Sequence, residues 1–585
     1  MNIILTWSSG SGLLSAGDIV MEWLQHAGYF VVADREYPSL IKGGCSYFRI
    51  EVWVSLIHSI SEFADIIVAF DRVGSKNALP HVRNGGLMIY GDEMHDKIPG
   101  YTNTIQEKKL TTLFIPEYAT PKKFGANELL SNMLMIGALW RALGLPVDGL
   151  IKAVEKRFAS KPTLLALDVA LINHGYNLQD ATVSNSLEPF TLPETTNTLT
   201  DYKVLDGNEV LALSAVHHGV RAYFAYPMSP SSTILSHLAN WADKTGMHVE
   251  QVEDEISVSQ MTLGASFAGT RSLCATSGGG FDLMTETVSL AGMIETPLTI
   301  IVAQRPGPAT GLPTWSGQED LNLALYSGHG EYAKAVIAVG DHAEAFKVLG
   351  VALNIAETCQ IPVIVLTDKT LAETNATVSP ASLVGVDIER GITTDTAELT
   401  SQSRYGLTDS GLSPRWLPGT GPRYYVNGDE HGPDGTLRED AAGVAEAHEK
   451  RMRKMKTLEE ATPEPILYGN PNAKITLVGF WSTKMEVMDF LSDKVNYLHY
   501  TNIWPLKTKT IKELEKKGNK IIVVEHNMTG QFASLLKGAG VRINEEWKKY
   551  DGRRFYREEM KRKIEKLNSS NWLSRLLKRL QRYFG

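Results

Sequence analysis

Cysteine is nearly absent from this chain. Its 585 residues include three, Cys45, Cys274 and Cys359, far apart and without a CxxC pair. That set excludes a disulfide framework and cannot by itself ligate an iron–sulfur cluster or a structural zinc. No metal site is expected in this polypeptide. Long apolar runs are missing too: nothing approaches the roughly 20 apolar residues that cross a bilayer, so no membrane span is expected. The opening MNIILTWSSGSG has no basic flank or cleavage pattern and reads as a short strand entering glycines, not as a signal peptide, which implies a cytoplasmic protein. Excess positive charge is also lacking. A formal net charge of -8 provides no general field for nucleic acid.

What is present suits a soluble globular protein with many tight turns: 43% hydrophobic residues, 21% charged residues and 50 glycines. The length allows three or four domains, each able to bury its own core. Residues 1–195 read as one α/β unit that opens with a βαβ pattern: NIILTW as a buried strand, SGLLSAGDIVMEWLQHAG as a helix ending at Gly28, and YFVVA as the next strand. An acidic, Thr-rich stretch, LPETTNTLTDYKVLDGN, then reads as a linker. Strands and helices alternate again over 200–375, as in a doubly wound sheet. Residues 376–460 are rich in Gly, Pro, Asp and Thr without periodicity and close on a charged helix, AEAHEKRMRKMKTLEE; this is expected to be an irregular insertion that wraps other domains or contacts a partner. The alternation resumes over 461–543. From Asn544 to the end, thirteen Lys and Arg face six Asp and Glu, and Trp572, Leu573, Leu576, Leu577 and Leu580 share one helical face. That basic helical tail suits a partner subunit or, alternatively, a membrane surface. The fold class is thus α/β, with three doubly wound domains and a tail.

Several segments could carry chemistry. FAYPMSPSS, residues 224–232, sets Ser229 between Pro227 and Pro230, and both prolines restrict the backbone before any ligand arrives. Ser231, Ser232 and Thr233 then offer N-cap hydroxyls to a helix whose N–H groups would face the same spot, a place for a small anion. The plain alternative is a capped turn with no ligand. Glu253, Asp254 and Glu255 precede a helix rich in small residues. Carboxylates at a helix start usually answer the macrodipole, which accounts for the first two; Glu255 is the candidate to be carried inward, where burial keeps a proton available. ATSGGGFDL places Ser277 and Gly278 just after a strand, where bare backbone could approach a flat ring or a partner chain. IIVAQRPGPATGLPT ends a strand on Arg305 and continues into a Pro/Gly loop with Thr310. Arginine at the carboxyl end of a parallel strand lies where α/β folds bind ligands, and its fork suits a carboxylate; a surface arginine is the alternative. Near the N-terminus, SSGSG could hold a nucleotide and EYPSLIKGG adds Lys42 beside Gly43 and Gly44, a phosphate-binding turn or a solvated loop.

In this order, GNEVLALSAVHHGV, AYPMSPSS, VEDEISVSQMTLGASFAGTRSLCATSGGGFDLM, ETPLTIIVAQRPGPATGLPT, GLSPRWLPG, DEHGPDG and EHNMTGQFASLL cover nearly all of residues 200–543. Together the run resembles the 2-oxoacid:ferredoxin oxidoreductases, in the form whose γ-type domain is fused ahead of the α subunit. SGSGLLSAG and EYPSLIKGGCS match the γ-type portion more loosely. The resemblance implies a γ-type domain at 1–195, a thiamine diphosphate pyrimidine-binding domain at 200–375 and a transketolase C-terminal-like domain at 461–543. It implies CoA-dependent oxidative decarboxylation of a 2-oxoacid with reduction of ferredoxin. Family frequency favours 2-oxoglutarate giving succinyl-CoA; pyruvate, a branched or aryl 2-oxoacid, a non-redox acceptor, and a non-catalytic scaffold of the same fold are the alternatives. A β subunit, in a heterodimer or a dimer of heterodimers, would hold Mg²⁺, a [4Fe–4S] cluster and the diphosphate of thiamine pyrophosphate.

By the same resemblance, Glu255 bonds the aminopyrimidine ring, with Pro227, Ser277 and Gly278 also against the cofactor. Ser229, Arg305 and Thr310 take the substrate, and Lys42, Gly43 and Gly44 help receive coenzyme A. Three departures stand out: the family's GGQG loop is Ser9-Gly10-Ser11-Gly12, Ser229 replaces threonine, and SGGG stands for SGPG.

Overall fold

The computed structural model describes residues 1–8, 14–39, 44–91, 100–125 and 130–567. The chain divides into two compact units: one holds Met1–Leu205, Thr374–Pro380 and the residues from Phe555 onward, the other Asp206–Glu373 and Ala381–Arg554.

In the first unit, nine strands among the described residues form one mixed sheet. The apolar run Asn2–Ser8 lies near its middle, buried over six of seven residues. It pairs in parallel with Ala64–Ala69, with Leu5 opposite Val68. On its other side it pairs antiparallel with Cys45–Trp53, which in turn pairs antiparallel with Phe30–Glu36. The expected βαβ opening is therefore split. Asn2–Ser8, helix Leu14–His26 and Phe30–Glu36 follow in order, but a later strand has been inserted between the two strands. Hydrophobic alternation reports burial and is the same for either strand direction, so it could not reveal this.

Two expected boundaries also move. Asn375–Val378, which straddles the expected start of the irregular insertion at 376, is a strand between Phe30–Glu36 and Lys203–Leu205. The segment expected as a basic helical tail from 544 begins instead with the strand Glu545–Lys548, part of a sheet of the second unit. Beyond it a helix spans 557–567, and its first two residues anchor within the first unit: Arg557 bonds the buried Glu51 at 3.1 Å and Glu558 pairs with Arg83 at 3.1 Å. Trp572, Leu573, Leu576, Leu577 and Leu580 lie outside the described residues.

The second unit contains two sheets. Across the larger, the order is His248–Gln251, Ala222–Ala225, Ser272–Thr276, Leu298–Gln304, Pro362–Asp368, Ala335–Ala338 and Asn502–Trp504, parallel except for the last. Leu298–Gln304 and Pro362–Asp368 are buried at every position, as the continuous apolar runs of a sheet covered on both faces must be. The smaller sheet has the order Ile466–Tyr468, Val495–Tyr500, Ile475–Phe480, Lys520–Glu525 and Glu545–Lys548. The charged helix of the insertion runs over Ala441–Ala461. Part of its charge is turned inward: Lys450 and Lys454 each meet the fully buried Glu295 at 2.6 Å, while Glu446, Glu449 and Lys456 are exposed. Among the described residues no helix is long and apolar enough to cross a membrane. The consequence for function is geometric: the parallel strands end on one edge, and their loops deliver residues 227–230, 253–255, 277–280 and 305–310 there.

Candidate active site

Two of these loops meet directly. Arg305, one residue past the strand Leu298–Gln304, donates from Nη1 to the carbonyl oxygen of Ser229 at 2.7 Å. The turn between the prolines thus orients the guanidinium through its backbone. It is itself pinned from below: Asn208, fully buried on helix Gly207–His217, donates to Pro230 O and to Thr233 Oγ1, each at 2.7 Å. The expected serine cap is not formed. Ser231 stands at the N-cap of helix Ser232–Thr245, but its hydroxyl turns back to donate to Met228 O at 2.8 Å, and Thr233 is engaged by Asn208. Pro227 is exposed in the turn.

Glu255 is the first residue of helix Glu255–Phe267. Asp254 caps that helix by accepting from Ser257 N at 2.7 Å, and that bond holds its carboxyl below the usual range. Glu253 is exposed. The next carboxylate is carried inward, as expected: Glu255 is only 5% exposed, and its Oε1 is buried with no hydrogen-bond partner. Space for it comes from a glycine on the neighbouring helix. A β-carbon on Gly280 would overlap Thr276 Oγ1 and lie 2.7 Å from Glu255 Oε1.

Gly280 belongs to helix Gly278–Met293, whose start forms one wall of a pocket of about 190 Å³. Ser277, Gly278 and Arg305 line it with Asp282 and Asp320; Thr310 is exposed and Ser229 reaches the pocket only through Arg305. Ser277 is the N-cap but its side chain caps nothing, and its fully buried Oγ has no partner. Asp320 Oδ2 is also buried and unpartnered. Burial pushes the Asp320 carboxyl up to about 7; Glu319 and Asp282 add to the shift and Arg305 opposes it. A site with a half-buried cation, free hydroxyl and carboxyl oxygens and a helix N-terminus can receive an anionic group.

Sequence reasoning missed Asn208, Gly280 and Asp320. Asp320 carried one usable signal, an acidic pair in GQEDLNLAL just before a short apolar helix. Lys42, Gly43 and the Ser9–Gly12 loop lie outside the described residues. Gly44 lies inside them with φ of +76°, and a β-carbon there would come 2.6 Å from the Pro38 ring, so the turn requires glycine at that point.

Two family descriptions match the chain. "Pyruvate flavodoxin/ferredoxin oxidoreductase, thiamine diP-bdg" matches residues 214–452, and "Pyruvate ferredoxin/flavodoxin oxidoreductase" matches residues 2–178. The 2-oxoacid:ferredoxin oxidoreductase subunit alpha of a Sulfolobus species is 31% identical, over 96% of this chain and 97% of its own length. The 2-oxoglutarate synthase subunit KorA of Methanothermobacter thermautotrophicus is 28% identical over 63% of this chain and 100% of its own. Among solved structures, 2-oxoglutarate:ferredoxin oxidoreductase from Magnetococcus marinus, with 2-oxoglutarate, coenzyme A and succinyl-CoA bound, is 27% identical with a TM-score of 0.87, covering 97% of this chain and 99% of that one.

Proposed function

The chain belongs to the 2-oxoacid:ferredoxin oxidoreductase α subunits, and on that premise we propose that it supplies half of the site at which 2-oxoglutarate and coenzyme A become succinyl-CoA and CO₂, two electrons passing to ferredoxin. The substrate choice rests on the likeness to the Magnetococcus marinus enzyme, which covers nearly the whole of both chains. The observation that carries the site is the unpartnered, buried Oε1 of Glu255 beside a glycine that makes room for it.

Thiamine diphosphate fits these residues, because an aminopyrimidine ring offers the hydrogen-bond partner that Glu255 lacks. When bound, this cofactor supplies the nucleophilic carbon and electron sink that oxidative decarboxylation requires. Glu255 would hold the ring through Oε1, out of water. Ser277 and Gly278, at the start of the adjoining helix, would form the neighbouring wall. Arg305 would take a carboxylate of the 2-oxoacid by charge, aimed by Ser229 and backed through Asn208. Burial strengthens that contact by removing competing water. We assign Mg²⁺ and the [4Fe–4S] cluster to a partner subunit, since the three cysteines of this chain are too few and too dispersed for a cluster. Gly44 and its loop would help receive coenzyme A, and we assign the reaction to the cytoplasm.

The test is to express the chain with its partner subunit and assay reduction of ferredoxin with 2-oxoglutarate, pyruvate, and branched and aryl 2-oxoacids, each with and without coenzyme A. A kcat/KM for 2-oxoglutarate at least tenfold above the others is expected. A preference for another 2-oxoacid overturns the substrate assignment.

A further inference from the structure

The pocket beside Arg305 holds two oxygens that the reading so far leaves without work. Ser277 Oγ is fully buried at the N-cap of the 16-residue helix Gly278–Met293, bonded to nothing. Asp320 Oδ2 is buried and unbonded on the facing wall, and the carboxyl lies so close over Gly278 that a β-carbon there would overlap it. It is aimed, not adrift: Asp320 N donates to Gln304 Oε1 at 2.8 Å, and its carbonyl accepts from Ala324 N at 3.0 Å. A buried polar atom left unbonded has lost its water and gained nothing in return, which is destabilising. Two such atoms on residues that line one cavity together with Arg305 mark a place that a polar ligand completes.

Charge decides which ligand. Arg305 and the helix N-terminus favour an anion. An ionised Asp320 would repel it, together with Asp282 on the helix and Glu319 in the same loop. The conflict disappears when Asp320 is a neutral acid, because its O–H can then donate to the anion.

We propose that Asp320 is a substrate-binding residue that donates a hydrogen bond from its protonated carboxyl to the carboxylate held by Arg305, so that substrate binding takes up one proton wherever free Asp320 is ionised. The inference rests on the assignment of Arg305 to a substrate carboxylate. Burial places the Asp320 titration at about 7, so the proton is available at neutral pH and scarce at pH 8. Below about 7 affinity is flat, and above it affinity falls tenfold per pH unit.

The test is isothermal titration of the enzyme assembled with its partner subunit, using glutarate, which has the carboxylates of a five-carbon 2-oxoacid and no oxo group to react. Titrations at pH 6 and pH 8, each in two buffers of different ionisation heat, count the protons. The parent should take up about 0.1 proton at pH 6 and about 0.9 at pH 8, and bind roughly tenfold more weakly at pH 8. Asp320→Asn keeps a donor that does not titrate; it should take up none and bind equally at both values. Proton-free binding by the parent at pH 8, or unchanged uptake in Asp320→Asn, overturns the inference and leaves the α-subunit assignment standing. Failure of glutarate to bind the parent at either pH overturns the carboxylate pocket itself.

Discussion

Replacing Gly280 with alanine adds one methyl where Glu255 must reach. The new β-carbon would overlap Thr276 Oγ1 and stand 2.7 Å from Glu255 Oε1 and 2.8 Å from its Cγ, against the roughly 3.5–4.0 Å of ordinary contacts. Thr276 can give way, since its hydroxyl makes only a 3.9 Å contact with Met228 Sδ. Glu255 cannot stay where it is. Overpacking of this kind costs about 1–3 kcal/mol of stability, which a domain stable by about 5–15 kcal/mol survives. Moving the carboxyl off the cofactor ring loses a charge-assisted bond of about 1.5–3 kcal/mol, which is roughly a ten- to 150-fold fall in rate. The assay is coenzyme A-dependent ferredoxin reduction by the assembled enzyme at saturating 2-oxoacid, with circular dichroism and thermal melting to verify the fold. A Gly280→Ala enzyme that is correctly folded and within twofold of the parent rate would refute the placement of Glu255.

Arg305→Ala should lower kcat/KM for the 2-oxoacid by the equivalent of about 1.5–3 kcal/mol, chiefly through KM, as expected for a lost carboxylate contact; steady-state kinetics check this, and an unchanged KM counts against it. Elsewhere in the second unit, Lys484 lies 2.6 Å from Asp341 and 3.1 Å from Glu344, which also meets His499 at 3.1 Å. Burial opposes these carboxylates, yet His499 and Lys484 hold Glu344, and Lys484 holds Asp341, below their usual range. The stability they contribute is therefore present above the ordinary carboxylate range and lost as pH falls through and below it. Lys484→Met should cost about 3–5 kcal/mol near neutrality, and the deficit should shrink at about pH 4, where the stranded acids begin to take up protons. Melts of parent and variant at both pH values decide it; an equal deficit at both contradicts the ion-pair origin.

Much of the catalytic edge was legible before any coordinates. An apolar strand, a turn stiffened by two prolines, a carboxylate opening a helix of small residues, and an arginine at a strand end are local patterns, and each landed on the edge where the parallel strands finish. What stayed hidden depends on contacts distant in sequence. Gly280 matters because of Glu255, 25 residues earlier. Asp320 reaches the pocket only because a Pro/Gly loop returns the chain to the helix at Gly278. Ser231 resembled a cap by type and position, but its backbone is already helical and its hydroxyl points back to donate to Met228 O, so its oxygen accepts from no helix N–H. The inserted strand Cys45–Trp53 escaped for a different reason: burial periodicity carries no strand direction. That the charged helix Ala441–Ala461 turns two lysines inward was not visible, because their buried partner, Glu295, lies more than 140 residues away.

The most direct measurement compares this chain alone, its partner subunit alone and the two assembled, following ferredoxin reduction with 2-oxoglutarate and coenzyme A. Turnover only in the assembled sample, lost in Glu255→Ala while the two subunits still co-purify, is the predicted result. Full turnover by the isolated chain, or an assembled Glu255→Ala enzyme as active as the parent, would contradict a catalytic site shared between two subunits with Glu255 as this chain's contribution.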